Sequence, residues 1–274
     1  MTLSNLPTLG AAIAHENLGL HRDWLIERQR DLELQAFFKP EALDGDFSDV
    51  IAATKKTLDG HTGRLGIHGP FWGFSIASHD PAVRRVVTDR FLTALAVCEK
   101  LRATQMVIHS PATTWGFNNL QVFPDEAAKL IERTHLTLGS VVKRAEDLGV
   151  TLVIENIEDK NPMDRVRLAE SFSSPNVKVS LDTGHAHYAH VSTGGPPVDV
   201  HVIAAGNLLE HVHIQDADGF ADRHWLPGEG TINWIAVFRA LGRLTSNPRL
   251  VLEVRDQTNL QKGARHLVEM GLAV

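Results

Sequence analysis

The stretch TLVIENIEDKNPMDRVRLAESFSSPNVKVSLD, residues 151–182, contains the unit that the rest of the chain repeats. Its ends, TLVIE (151–155) and VKVSLD (177–182), are short runs rich in β-branched residues, and 163–172 between them reads as a helix. Continuous apolar runs, as opposed to alternating ones, are how strands covered on both faces read. Outward from this unit the same kind of run recurs at TLGAAIA (8–14), LELQAFF (32–38), RLGIH (64–68), QMVIH (105–109), HVHIQ (211–215) and LVLEV (250–254). Helical patterns separate them. Asp80-Pro81 is a start signal, followed by Val83, Val86, Val87, Phe91, Leu95 and Leu101 near 3.6-residue spacing. Asp125 opens a helix through Leu148, with Gly149 as its stop, and further helices fall at 47–58 and from about Trp234 to Leu241. Eight strands alternating with helices predict an α/β protein, a single (β/α)8 TIM barrel over residues 1–274. A doubly wound open sheet is the alternative, but no G-x-G-x-x-G follows the first strand.

Composition narrows the function classes. The 27 Lys and Arg against 33 Asp and Glu give a net charge of −6, which leaves no chain-wide electrostatic footprint for nucleic acid. An apolar share of 43% with 22% charged residues excludes wholesale disorder. No apolar run approaches the roughly 18 residues of a membrane span. MTLSNLPTLGAAIAHENLG (1–19) has no basic region ahead of a long apolar block, so no signal peptide is read. Cys98 is the lone cysteine, which fits a reducing compartment and a cytoplasmic location.

The positions of the histidines and acids carry the chemistry. His68, His109, Glu155 and Asp182 end four successive strand candidates, His213 lies in the next, and Glu253 is near the end of the last. In a barrel those ends converge on the catalytic face. Buried together, such carboxylates repel and resist desolvation, and a divalent cation removes that penalty. His185, one turn after Asp182, and the D-x-H pair Asp222 and His224 are further candidate ligands. His187 and His190 read as bystanders, and His211, two residues before His213, points to the same sheet face one layer deeper. Mixed imidazole and carboxylate donors suit Zn²⁺ or Mn²⁺, with Fe²⁺ or Co²⁺ also compatible. Nine ligands exceed one tetrahedral ion, so the set is sized for one to three ions, with Glu155 placed to bridge. Pro227-Gly228-Glu229-Gly230 reads either as an anion cradle before a helix or as a plain turn. Phe71, Trp72 and Trp115 stand where they either wall a substrate pocket or pack on loops.

HGPFWGF (68–74), VIHSP (107–111), VIEN (153–156), SLDTGHAH (180–187), HVHIQD (211–216), DRHWLPGEGTINW (222–234) and VLEV (251–254) together resemble the xylose-isomerase-like TIM-barrel superfamily. That superfamily includes sugar isomerases and epimerases and the apurinic endonuclease IV family. The resemblance implies a metal quartet of Glu155, Asp182, His213 and Glu253, as in the sugar epimerases. With His68, His109, His185, Asp222 and His224 added, it also matches the trinuclear zinc pattern of endonuclease IV. Two departures favour the sugar enzymes. Phe71 stands where endonuclease IV carries tyrosine, and KPEALDGDFSD (39–49), where that family has a basic DNA-contacting loop, has several acids and one lysine. The resemblance therefore implies a metal-dependent isomerase or epimerase of a sugar or sugar phosphate. Glu155 and Glu253 would exchange the proton, while His185 and Arg223 would hold substrate oxygens. A zinc-dependent apurinic-site phosphodiesterase is the alternative. The implied partner is a small carbohydrate, not nucleic acid or membrane, and dimers and tetramers among relatives imply a homo-oligomer.

Overall fold

A computed structural model describes residues 6–274, so the first five residues of the leader reading lie outside the described residues. Eight parallel strands close into a barrel in chain order: β1 Leu9–Ile13, β2 Leu32–Leu34, β3 Leu65–His68, β4 Gln105–His109, β5 Thr151–Glu155, β6 Val177–Asp182, β7 Leu209–Ile214 and β8 Arg249–Leu252. β1 pairs with both β2 and β8, which closes the sheet on itself. The strands are short because their apolar runs are short, and the helices outside cover the second face of each.

Local chemistry sets the helix ends. Asp80 accepts from the Ala82 amide at 2.7 Å to start Pro81–Leu101, and Arg102 ends that helix in the left-handed region at φ 58°. Glu126–Leu148 stops at Gly149, φ 65°, and Asn233 caps Trp234–Leu241. Three of the longer helices have no counterpart in the sequence reading: Thr183–Thr193, Val198–Ala205 and Leu260–Glu269. The first is capped by Asp182, whose Oδ1 accepts from the His185 amide at 2.7 Å. A strand-end carboxylate thus doubles as a helix cap, and that fixes the direction in which it points. No described helix is long and apolar enough to cross a membrane.

Two boundaries differ from expectation and matter for function. LELQAFF yields only Leu32–Leu34 as strand, because Gln35 onward turns out of the barrel at its mouth. β8 ends at Leu252, so Glu253 sits just beyond the strand. Register does the rest: His109 lies beside Glu155 across β4 and β5, and Asp182 beside His213 across β6 and β7. Adjacent strands thus deliver their polar termini to one level at the C-terminal mouth.

Candidate metal centre

Glu155, Asp182, His213 and Glu253 are all buried, and each places a ligand atom within 4.8 Å of those of the others. His213 Nδ1 lies 2.5 Å from Glu155 Oε1 and 3.3 Å from Glu253 Oε2. The second oxygen of Glu155 has no hydrogen-bond partner although it is buried, and it stands 3.7 Å from His68 Nε2 and 3.4 Å from His109 Nε2. A third group closes beside these, with Asp222 Oδ1 3.4 Å from His185 Nε2 and 3.0 Å from His224 Nε2. His185 Nδ1 is 3.7 Å from Asp182 and His224 Nδ1 is 3.6 Å from Glu253, so the three groups form one cluster.

The donor set fits divalent cations. Two ligands about 2.0–2.1 Å from a tetrahedral Zn²⁺ are themselves roughly 3.3 Å apart, close to most of the spacings around Glu155 and Asp222. A buried, orphaned carboxylate oxygen between two imidazoles is costly unless a cation shares it. The imidazoles are also turned for ligation. His68 Nδ1 donates to the Gly69 carbonyl (2.9 Å), His185 Nδ1 to that of Asn156 (2.8 Å), and His224 Nδ1 to that of Glu253 (3.1 Å). A carbonyl accepts only, so in each neutral ring the proton is on Nδ1 and the Nε2 lone pair faces the carboxylates.

Electrostatics agree with the geometry. Burial works against charge on His213, but Glu253, Glu33 and Glu155 outweigh it and hold its pKa well above the ordinary value. His185 is likewise held up against burial by Asp182 and Asp222, and His224 is raised to about 9, against burial, by Asp222, Glu253 and Asp182. Burial dominates at His109 and pulls it to about 3, so that ring is neutral. Burial alone would raise Glu155, but the imidazoles of His213, His68 and His109 drive it well below the usual carboxylate range. At Glu253 burial wins and its carboxyl is raised. The cluster therefore draws positive charge, which either imidazolium or a metal ion can supply.

Several supporting residues were not singled out from the sequence. Gln215 is fully buried and donates to Asp182 (3.2 Å) and Asp222 (3.0 Å), while its carbonyl accepts from the His224 amide (2.9 Å). Asn156 and Asp182 exchange two hydrogen bonds, and the Gln35 amide donates to Glu253. Glu33, in the middle of β2, contacts His211 and His213 from within the barrel. Its signal was an acid in an otherwise apolar run, at mid-strand and not at the end.

Other sequence candidates stand apart from the cluster. Arg223 is held by Asp218, with hydrogen bonds of 3.0 and 2.8 Å, and lies over the Trp225 ring. Trp115 is 75% exposed and Trp72 51%, so neither forms a closed wall, although Trp72 adjoins Phe38 and Phe71. Phe71 stacks on His109 with ring centroids 4.2 Å apart and shields that imidazole from one side. His187 and His190 bond Thr231 and Gly195. The P-G-E-G segment is a turn in which the Gly228 amide bonds the Asp216 side chain and the Glu229 amide the Leu226 carbonyl. The buried carboxylate of Asp216 accepts from the amides of Gly228 (2.8 Å), Ala217 (3.0 Å) and Ile232 (3.2 Å) and from Trp234 Nε1 (3.1 Å).

Residues 31–271 match the family model described as xylose isomerase-like TIM barrel. D-psicose 3-epimerase of Ruminiclostridium cellulolyticum is 25% identical over 192 residues, covering 68% of this chain and 61% of that protein. A solved D-tagatose 3-epimerase-like protein aligns at 22% identity with a TM-score of 0.72, over 87% of each chain. A protein from Thermus thermophilus, solved after soaking with zinc chloride, is 26% identical with a TM-score of 0.68, over 94% of this chain and 98% of that one.

Proposed function

The chain belongs to the xylose isomerase-like TIM barrel family, and from that premise we propose that it is a metal-dependent isomerase or epimerase acting on a small, uncharged sugar. The observation that carries this reading is the convergence of two buried carboxylates, Glu155 from β5 and Glu253 from beyond β8, on one ring nitrogen of His213 at the barrel mouth. A divalent cation held by Glu155, Asp182, His213 and Glu253 would polarise a substrate carbonyl and so acidify the adjacent C–H. His68, His109, His185, Asp222 and His224 would hold one or two further ions of the same kind, zinc or manganese by donor type.

In this reading Glu155, which the imidazoles keep ionised, takes the proton from the carbon next to the carbonyl. Glu253, whose carboxyl burial keeps higher, returns one from the other face. Return to the same carbon inverts it; return to the former carbonyl carbon, with the neighbouring hydroxyl proton passing to the former carbonyl oxygen, interconverts aldose and ketose. Either carboxylate serves in either direction, as reversibility requires. His185 lines the same space, and Phe71 and Trp72 offer apolar surface to a sugar ring or chain.

An uncharged substrate follows from the mouth. The loops after the strands supply Lys39, Lys160, Arg223 and Arg255, outnumbered by acids such as Glu16, Asp46, Glu158, Asp218 and Asp256. The turn best placed to cradle phosphate is filled by Asp216. The same charge balance weighs against duplex DNA, which needs a basic track. The division of the nine ligands into three groups nonetheless favours a second reading, the endonuclease IV-type phosphodiesterase. A cytoplasmic enzyme is part of the proposal, supported by the single buried thiol of Cys98.

The test is incubation of metal-loaded protein with a panel of ketoses and aldoses in D2O, followed by NMR. Deuterium at the carbon next to the carbonyl together with an epimer or isomer is expected. No turnover of any sugar, with cleavage of an abasic duplex oligonucleotide, would replace this reading by the second.

A further inference from the structure

We propose that Glu33 is a positioning residue that decides which nitrogen of His213 faces the cation site, an inference that rests on the metal-dependent reading above. Glu33 sits mid-strand between two leucines, 3% exposed, where a carboxylate is expensive without partners. It has two. His213 Nε2 lies 3.0 and 3.1 Å from its oxygens, and His211 Nε2 lies 3.1 Å from Oε2. Its strand neighbours, Ala12 on β1 and Gly66 on β3, are small, and the buried guanidinium of Arg249 takes the space beside Gly66.

A carboxylate only accepts, so Glu33 requires hydrogen on Nε2; Glu155 and Glu253 make the same demand of Nδ1, and a cation bound among them would take the place of that proton while Glu33 keeps the other. The neutral ring then has its lone pair on Nδ1, the atom that lies against Glu155 and Glu253. The three other oriented imidazoles work in the opposite sense. His68, His185 and His224 place Nδ1–H on a backbone carbonyl and present Nε2. Among these four, His213 alone is backed by a carboxylate, which both orients the ring and raises its basicity toward a metal. His211 steadies the arrangement from behind. Its Nδ1 meets the Ser180 hydroxyl at 2.8 Å, and its Nε2 stands 3.1 Å from Glu33 Oε2 without hydrogen-bond geometry, so His211 packs behind Glu33 as a close charge neighbour.

The test compares wild type, Glu33→Gln, which keeps one acceptor oxygen, and Glu33→Leu, which keeps none. Each protein is stripped of metal and its Zn²⁺ affinity is measured by competition with a chromogenic chelator, with circular dichroism reporting the folded fraction. Losses of about 10-fold for Gln and about 100-fold for Leu are expected per folded molecule. Equal affinity in all three would overturn the inference, since a purely structural partner changes the folded fraction and not the affinity. A second measurement is made on the wild type alone: long-range ¹H–¹⁵N NMR of the zinc-loaded protein is expected to show His213 protonated at Nε2. A proton on Nδ1 overturns the inference even where the variants do not fold. Wild type that takes up no Zn²⁺ refutes the metal-dependent reading itself, a result distinct from either of these.

Discussion

Replacing Asp216 by alanine tests whether one buried acid holds the loop that carries two of the nine candidate ligands. Asp216 and Trp225 exchange backbone hydrogen bonds of 2.9 and 3.0 Å, closing the segment that bears Asp222 and His224. The side chain meanwhile gathers four donors, three of them on the buried residues Ala217, Ile232 and Trp234. Each buried donor left without an acceptor costs about 1–3 kcal/mol, which sets an upper range near 9 kcal/mol. Relief from keeping a carboxylate out of water lowers the expected loss to about 3–5 kcal/mol. For a chain of 274 residues that corresponds to a fall in Tm of roughly 6–10 °C. Thermal unfolding followed by circular dichroism is the assay, and Asp216→Asn, which keeps one acceptor oxygen, is expected to lose about half as much. A fall below about 2 °C for the alanine variant would refute the argument, because the turn would then be held by something other than this carboxylate.

Three further outcomes follow from the cluster. Glu155→Gln and Glu253→Gln are each expected to lower kcat by about 10²–10⁴-fold with circular dichroism unchanged, and a variant retaining wild-type turnover removes that residue from the proton transfer. Zinc or manganese at about 100 times Kd is expected to stabilise the metal-stripped protein by about 2.7 kcal/mol, read as a rise in Tm of several degrees that a chelator reverses. The pH dependence has a definite sign. A histidine raised in the folded state, such as His224 at about 9, contributes stability that is fully present below its ordinary value near 6.5 and is lost as pH climbs through about 9. Metal needs the same nitrogens bare, so the thermal shift on adding zinc is expected to grow from about pH 6 to about pH 9, and a shift independent of pH contradicts the assignment of these imidazoles as ligands.

Strand runs were legible because buried parallel strands are apolar throughout, and their polar last residues stood out against that background. The same contrast hid other features. Glu33 lies inside an apolar run, where the search for strand ends passes over it. The helix Thr183–Thr193 was obscured because TGHAHYAHVST is rich in histidine and small residues, and what starts it is the Asp182 side chain, a tertiary use of a residue that also faces the cluster. Arg223 shows what the sequence leaves open: alternation along the loop sends Asp222 and His224 to His185 and Glu253 and pairs Arg223 with Asp218. Spacing in sequence says which residues share a segment; only the three-dimensional path says which way each one turns.

The central claim is that carboxylates and imidazoles from strands far apart in the chain surround shared cations. Crystals grown with Mn²⁺ or Zn²⁺ and measured above the absorption edge of the metal test it directly. An anomalous peak bounded by Glu155, Asp182, His213 and Glu253 is the predicted result, with zinc adding density between His68 and His109 or beside Asp222. Well-phased maps with no peak among those four side chains, or with metal bound only at the outer surface, would contradict it.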